Sequence, residues 1–423
     1  MKPDKVYLKS VACFIVQTET NQIAAYLEGN GYQLVDTVEK ADAIILTTCA
    51  VTQHSSDHTY NAILDCLARR KNNSPLYIVG CYSRIEIQKS NELHDKHENI
   101  FFVPEFVELE DIFIGNNTWE DSTYNDFFSY PYCQQKISDA TKSENTKFGK
   151  RLKALSLIGS VLGKDLLFYY LLRQNHLYSI YVQMKVWPVL AAKGCTHACT
   201  YCAVRIGRGK FRSKPVASVI TEMKTGASKG YDKCLLIGDE LGPYGVDFKD
   251  GTTLATLLES IIAEDIPVKI GLWYVDCFKI KEIVPALETL AEKDRLFLLG
   301  IPFQSGSRRI LDLMNRRYSL EDALETVGKL RKYPGVIIAS QFMVGFPTET
   351  EEDFRASVEL VEKGYFDKVE VYSFSPRPGT RAAKMENDVP DSVKEERNRT
   401  LSEIAARKGR KLLVKHLLHE VVA

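Results

Sequence analysis

The chain lacks an excess of either charge: its 423 residues hold 55 Lys and Arg against 55 Asp and Glu. A global polyelectrolyte attraction to nucleic acid is therefore not the default, and any such affinity has to be local. Cysteine is scarce for this length. Ten residues are too few for a disulfide scaffold, and their grouping near glycines and predicted strand ends points to a reducing compartment and to metal use. The N-terminus, Met1-Lys2-Pro3-Asp4-Lys5, has neither the apolar core nor the cleavage site of a signal peptide, so the expected location is cytoplasmic. A clean membrane-length run is also missing. The apolar stretch Leu155–Leu172 is interrupted by Gly159, Gly163, Lys164 and Asp165, whereas a spanning helix needs about 20 mostly apolar residues and is disfavoured by central charges. At 45% hydrophobic, the chain has the material for two domains with proper cores.

What is present is concentrated in a few cysteines. Cys195, Cys199 and Cys202 lie in Lys193-Gly194-Cys195-Thr196-His197-Ala198-Cys199-Thr200-Tyr201-Cys202, a C-x3-C-x2-C spacing on one turning loop. Tetrahedral zinc wants four protein ligands, and no fourth Cys or spaced His pair follows at zinc-finger distance. A four-iron cluster held by three cysteines would leave one iron open to an outside ligand. The alternative is a structural three-cysteine cluster or an incidental group of thiols.

Residues 1–117 read as an α/β domain. Strands are predicted at Val6–Phe14, Asp42–Thr47 and Leu76–Val79, with helices at Thr20–Asn30 and His54–Lys71. This alternation implies a doubly wound parallel sheet, in which ligands collect at the carboxyl ends of the strands. Cys13, Cys49 and Cys81 each fall at such an end, so they are expected to converge on one site, or else to be three buried structural cysteines. Cys66, inside a predicted helix, reads as a core residue.

Residues 118–180 form an atypical insert: a polar, tyrosine-rich loop over Trp119–Lys147 followed by helical composition over Phe148–Tyr178. Cys133 within it reads as a surface thiol. The helical part is expected to pack on the protein or line a substrate entrance, with membrane-surface contact as the alternative.

Residues 181–388 alternate again. Strands are expected at Tyr181–Ala191, Lys233–Gly238, Val268–Trp273, Leu296–Phe303, Val336–Val344 and Val369–Phe374. The helices between them run over Pro215–Lys229, Thr252–Ala263, Lys279–Lys293, Leu320–Arg331 and Glu351–Lys363, the last with a capping box from Thr348 to Glu351. Six such units predict an open partial (β/α)6 barrel whose reactive face lies at the strand carboxyl ends, where Cys195 falls. Arg205, Arg208, Lys210, Arg212 and Lys214 make a basic run after the cysteine loop, read either as a solvated face or as an anchor for phosphates or a carboxylate. Residues 389–423 read as a helix over Ser392–His419, with Arg407, Lys408, Arg410, Lys411 and Lys415 as a second basic run.

The cysteine loop resembles the signature of the radical S-adenosylmethionine enzymes. Its surroundings resemble the methylthiotransferase branch, through Cys13-Phe14-Ile15-Val16-Gln17-Thr18-Glu19-Thr20, Thr48-Cys49-Ala50-Val51-Thr52 and Gly80-Cys81-Tyr82-Ser83. Further similar motifs are Pro302-Phe303-Gln304-Ser305-Gly306-Ser307, Met314-Asn315-Arg316-Arg317-Tyr318, Val344-Gly345-Phe346-Pro347-Thr348-Glu349-Thr350 and Tyr372–Thr380. The resemblance implies two [4Fe-4S] clusters. Cys195, Cys199 and Cys202 would hold the catalytic one, and Cys13, Cys49 and Cys81 an auxiliary one that handles the sulfur. It implies S-adenosylmethionine as cofactor, with Tyr201, Gly238, Asp239, Glu240, Gln304, Gly345 and Pro376 as its expected contacts. It also implies a reductant such as flavodoxin or ferredoxin.

The sequence departs from the family at Ala12, Val16 and Thr48, where Gly, Asn and Asn are usual, and at Asp239, where Gln is usual. Many members continue into an RNA-binding TRAM barrel; the chain stops at Ala423, where that barrel would begin, so none is expected. The activity implied is insertion of a methylthio group at an unactivated C–H. The substrate would be a tRNA adenosine reached through the two basic runs, or a protein side chain, peptide or small metabolite. A non-thiolating iron–sulfur redox protein is the reading from a different class.

Overall fold

The computed structural model describes residues 4–118, 186–385 and 389–422. The expected insert from Trp119 onward, with Cys133, and the start of the strand expected at Tyr181 lie outside the described residues. The chain divides into two compact units. The first joins the N-terminal residues to two short later segments, Cys202–Lys210 and Ser375–Ala383; the second holds the rest of the later chain.

In the first unit β1 (Lys5–Ser10), β2 (Gln33–Val35), β3 (Ala43–Thr48), β4 (Leu76–Gly80) and β5 (Ile100–Val103) form a sheet of order β2-β1-β3-β4-β5. Every pairing in it is parallel. Side chains alternate across a strand with period two, and β3 is buried on both faces. Ala43 and Ile45 point into one core with Val16, Ile23 and Leu27 of the helix Phe14–Gly29. Ile44 and Leu46 point into the other core with Ala62, Ile63 and Cys66 of the helix Gln53–Arg69. This is the doubly wound arrangement read from the alternation, and Cys66 is the core residue expected.

One boundary differs. The sequence reads as strand over Val6–Phe14 and as helix only from Thr20, yet β1 stops at Ser10 and the helix begins at Phe14. Burial overrides propensity: Val16, Ile23 and Leu27 share one helical face, and Thr20 Oγ1 donates to Val16 O and bonds Thr47 Oγ1 beneath it.

In the second unit β6 (Val186–Lys193), β7 (Arg212–Ser213), β8 (Lys233–Gly238), β9 (Lys269–Leu272), β10 (Leu296–Gly300), β11 (Ile337–Val344) and β12 (Lys368–Ser373) are ordered β12-β11-β10-β9-β8-β6-β7. Six strands are parallel and only the two-residue β7 runs antiparallel. The order ends in β12 and β7, so the barrel is partial and open. The helix Asp391–Val422 covers the free edge of β12, where Asn398 Nδ2 donates to Val371 O at 3.1 Å. An unpaired parallel edge otherwise invites pairing with another chain.

The capping box read at Thr348 and Glu351 is displaced by two residues. Thr348 sits at φ +70° in the turn closed by Glu349 N–H on Phe346 O, and Thr350 with Asp353 caps the helix Glu351–Glu362 instead. That turn also holds a buried ion pair. Glu349 accepts from Gly345 N–H at 2.7 Å and from Arg397 Nη1 at 2.8 Å. Burial pushes the Glu349 carboxyl up to about 6, against the pull of the Gly345 amide and Arg397.

Replacing Arg397 by Met leaves a buried carboxylate without its cation, and the expected cost in urea unfolding at neutral pH is about 3–5 kcal/mol. A carboxyl raised in the folded state favours folding below its unfolded value and loses that contribution as pH rises through the folded value. Removing Arg397 takes away a lowering contribution and raises the Glu349 carboxyl further, so the cost of Arg397→Met should shrink as pH falls toward about 6 and stay small below it. A penalty independent of pH would contradict this account.

Candidate metal and cofactor sites

In the first unit three strands are each followed by a cysteine. Cys13 follows β1 as the exposed N-cap of the helix Phe14–Gly29. Cys49 follows β3 and is buried, and Cys81 follows Gly80 as the first, buried residue of the helix Cys81–Ile85. The parallel sheet brings the three thiols together. A hydrogen bond from Cys13 holds the Cys49 thiol below its ordinary pKa, while burial and the nearby charge of Cys81 push the other way. Gly80 is required here, since its φ is +106° and a Cβ would approach Thr48 O at 3.0 Å.

The three departures in this unit, Ala12, Val16 and Thr48, are absorbed locally. Thr48 Oγ1 donates to Val79 O at 2.9 Å, Ala12 O accepts from Gln17 Nε2, and Val16 is core.

The segment Cys202–Lys210 backs this site. Gly207, in the helix Val204–Arg208, lies so close that an added Cβ would stand 2.9 Å from Cys81 Cβ and 3.2 Å from its Sγ. Arg208, from the basic run, is buried and pairs with Glu19 at 2.7 Å. Arg377, in the other short segment, donates to Glu86 and, at 2.8 Å, to Gln53 Oε1. Neither buried guanidinium is free for phosphate. Pro376, an expected cofactor contact, is exposed.

In the second unit the loop after β6 carries Cys195 and Cys199, and Cys202 follows Tyr201 in sequence. Gly194, at φ +80°, donates its N–H to Asp239 Oδ2 at 2.8 Å, which ties the start of the loop to the end of β8. Cys195 Sγ accepts from His197 N–H at 3.3 Å, and Cys199 Sγ accepts from Arg316 Nη1 at 3.6 Å. Cys202 Sγ accepts from Val204 N–H at 3.4 Å.

Sequence reasoning missed two residues. His197 Nε2 donates to buried Asp276, and its ring stacks on Phe278 at 4.7 Å. Asp276 Oδ1 accepts from Phe278 and Lys279 N–H, and Asp276 N–H donates in turn to Glu240 Oε1 at 2.8 Å. Burial and the Asp276 charge push the Glu240 carboxyl up, while His197 holds Asp276 ionised despite its burial. One ligand atom from each of His197, Glu240 and Asp276 lies within 4.8 Å of the others, the spacing of a metal site. Glu240 Oε1 and both Asp276 oxygens already accept protein hydrogen bonds, so the group acts as a hydrogen-bonded brace under the cysteine loop. The available signal was the position of Asp276, four residues past the end of β9.

The remaining expected contacts also fall after strands. Gln304, at φ +71°, is bonded through its backbone to Gln341 and Met343 of β11. Gly238 ends β8, Gly345 follows β11 at φ +69°, and Tyr201 is half-buried. The hydrogen bonds of the Gly345 amide and of Glu240 hold the fold itself. An all-thiolate donor set of three at each site suits iron–sulfur ligation better than zinc, magnesium or calcium.

The model of the Radical SAM superfamily matches residues 189–361, and that of the Uncharacterized protein family UPF0004 matches residues 5–103. Among solved structures, the radical S-adenosylmethionine methyltransferase TsrM from Kitasatospora setae aligns with TM-score 0.54 at 13% identity, covering 87% of this chain and 73% of that one. The cobalamin-dependent S-adenosylmethionine radical enzyme OxsB aligns with TM-score 0.52 at 12% identity, over 97% of this chain and 56% of that one. These likenesses concern the fold alone; the class, a radical S-adenosylmethionine enzyme, rests on the Radical SAM model and on the curated relatives.

Curated relatives narrow it. The tRNA-2-methylthio-N(6)-dimethylallyladenosine synthase of Thermotoga petrophila is 30% identical over 96% of this chain and 83% of its own length. The enzyme of the same name from Bacillus subtilis is 30% identical over 96% of this chain and 73% of its own length. The chain belongs to the radical S-adenosylmethionine methylthiotransferase family. It is a transferase whose cofactors are two [4Fe-4S] clusters and S-adenosylmethionine.

Substituting Gly207 by Ala forces a methyl group against Cys81 and Ile85. Overpacking of this kind is expected to lower stability by about 1–3 kcal/mol. The loss should appear in urea unfolding of the metal-free protein, and a neutral Gly207→Ala would show that the contact has room to relax.

Proposed function

We propose that this enzyme adds a methylthio group to an adenosine of tRNA. Cys195, Cys199 and Cys202 would hold the cluster that meets S-adenosylmethionine, and Cys13, Cys49 and Cys81 the cluster that handles sulfur. The observation that carries the reading is the pair of three-cysteine sets, the first after three parallel strands and the second on the loop after β6, each one ligand short of a four-iron cluster. The tRNA part is supported by the names of the relatives at 30% identity.

The bound clusters and S-adenosylmethionine supply the radical and sulfur-transfer chemistry; the protein supplies binding, orientation and exclusion of water. In the first unit Gly80 and the close-packed Gly207 fix Cys81. In the second, Asp239 holds Gly194, Asp276 holds His197, and Arg316 holds Cys199. Gly238, Gln304 and Gly345, which follow strands, and Tyr201 on the cysteine loop would meet the cofactor's amino acid and nucleoside groups.

For the RNA, Arg205, Lys210 and Arg212 are exposed and suited to phosphate. Arg407 and Lys408 of the second run are turned toward Glu362. A low-potential one-electron donor of the flavodoxin or ferredoxin type would act as reductant, in the reducing cytoplasm that open thiolate clusters need.

Two measurements test this. Replacing Cys13, Cys49 and Cys81 by Ala should halve the iron bound, keep 5′-deoxyadenosine formation and abolish methylthio transfer; transfer that survives would end the two-cluster assignment. Mass spectrometry of tRNA nucleosides from cells with and without the gene should show one methylthio group on an adenosine. A difference confined to peptide or small-molecule extracts would move the substrate there.

A further inference from the structure

The tightest grip on the cysteine loop comes from the turn Leu313–Arg316. Thr200 donates its N–H to Met314 O at 3.0 Å and its Oγ1–H to Leu313 O at 2.9 Å. Asn315, at φ +58°, donates Nδ2–H to Ala198 O at 3.1 Å. Arg316 completes the clamp and is the member that brings charge. Its side chain is 4% exposed, Nη2 donates to Pro302 O at 2.8 Å, and Nη1 donates to Cys199 Sγ at 3.6 Å. The guanidinium lies 5.8 Å from the Phe278 ring centre and 5.6 Å from that of Tyr318. A cation enclosed by aromatic rings is poorly screened, so its field on the neighbouring sulfur is far stronger than at a surface.

We propose that Arg316 is a positioning residue that sets the reduction potential of the cluster held by Cys195, Cys199 and Cys202. The inference rests on the assignment of that cluster to those cysteines. In the step concerned, one electron from an external low-potential donor enters the cluster. No bond forms or breaks and no proton moves, so the ligated centre becomes one charge more negative. A fixed positive charge at Cys199 Sγ stabilises that product over the oxidised form and raises the potential. The three other contacts of the turn hold the loop in place without contributing charge.

The experiment uses the full chain with Cys13, Cys49 and Cys81 replaced by Ala, so that one cluster gives the signal, titrated with dithionite and followed by electron paramagnetic resonance. Arg316→Gln should shift the midpoint to a more negative potential. Arg316→Lys, which keeps the charge but not the fork, should shift it less. Asn315→Ala, which removes a loop contact without touching charge, should leave it near the parent value. A wild-type midpoint in Arg316→Gln at full iron loading overturns the proposal, as do equal shifts in the Gln and Lys variants. Failure of the Gln variant to take up iron makes the residue structural and overturns it too. Absence of any cluster in the parent background instead overturns the underlying assignment, and the inference with it.

Discussion

Gathering three thiolates at one point is electrostatically unfavourable, because each negative charge raises the pKa of its neighbours. Among Cys13, Cys49 and Cys81 the structure answers this with hydrogen-bond donors to sulfur. Cys49 shows the balance most directly: the charge of Cys81 and burial push its thiol up, yet the hydrogen bond from Cys13, with Val51 N–H and Ser55, holds it below its ordinary value. Around the other triplet, Cys195 and Cys202 accept backbone N–H groups and Cys199 accepts a guanidinium. Each contact fixes the direction in which its sulfur is presented.

These donors work only if the backbone arrives from the right directions, and the parallel sheets provide that. In a parallel sheet all strand ends face one way, so residues far apart in sequence are delivered to one rim. Cys13, Cys49 and Cys81 come from three strands that are adjacent in space. The glycines serve the same end. Gly80 and Gly194 have positive φ and turn the chain sharply off a strand, which puts the next side chain at the rim instead of in the pleat.

Strands and helices were legible because each is announced within a few residues. Cys13, Cys49, Cys81 and Cys195 stood out because each follows an apolar run, Cys81 and Cys195 directly after a glycine, Cys13 after Ala12 and Cys49 after Thr48. What escaped depended on partners distant in sequence. The start of the helix at Phe14 contradicts the strand reading of Val6–Phe14 and follows from burial of Val16 and Ile23 against the sheet. The displaced cap follows from Thr348 lying in a positive-φ turn that composition does not reveal. The short β2, β5 and β7 are too brief for a periodic signal. The brace of His197 and Asp276 spans 79 residues, so neither side chain marks the other.

The same limit governs what can be said of charge. Read as composition, Arg205, Arg208, Lys210, Arg212 and Lys214 are one basic run. In the structure Arg208 is committed to Glu19, 189 residues away, and Lys214 is paired with Glu222. Three of the five remain exposed, and the neutral chain supplies no background attraction to add to them. Nucleic-acid affinity changes with salt roughly in proportion to the phosphates neutralised, at about 0.7 per contact on a logarithmic scale for single strands. If these residues alone served the RNA, the salt slope would stay shallow, near three contacts' worth. Recognition of a tRNA by this surface would then depend more on the shape and stacking of single-stranded loop nucleotides than on summed phosphate charge.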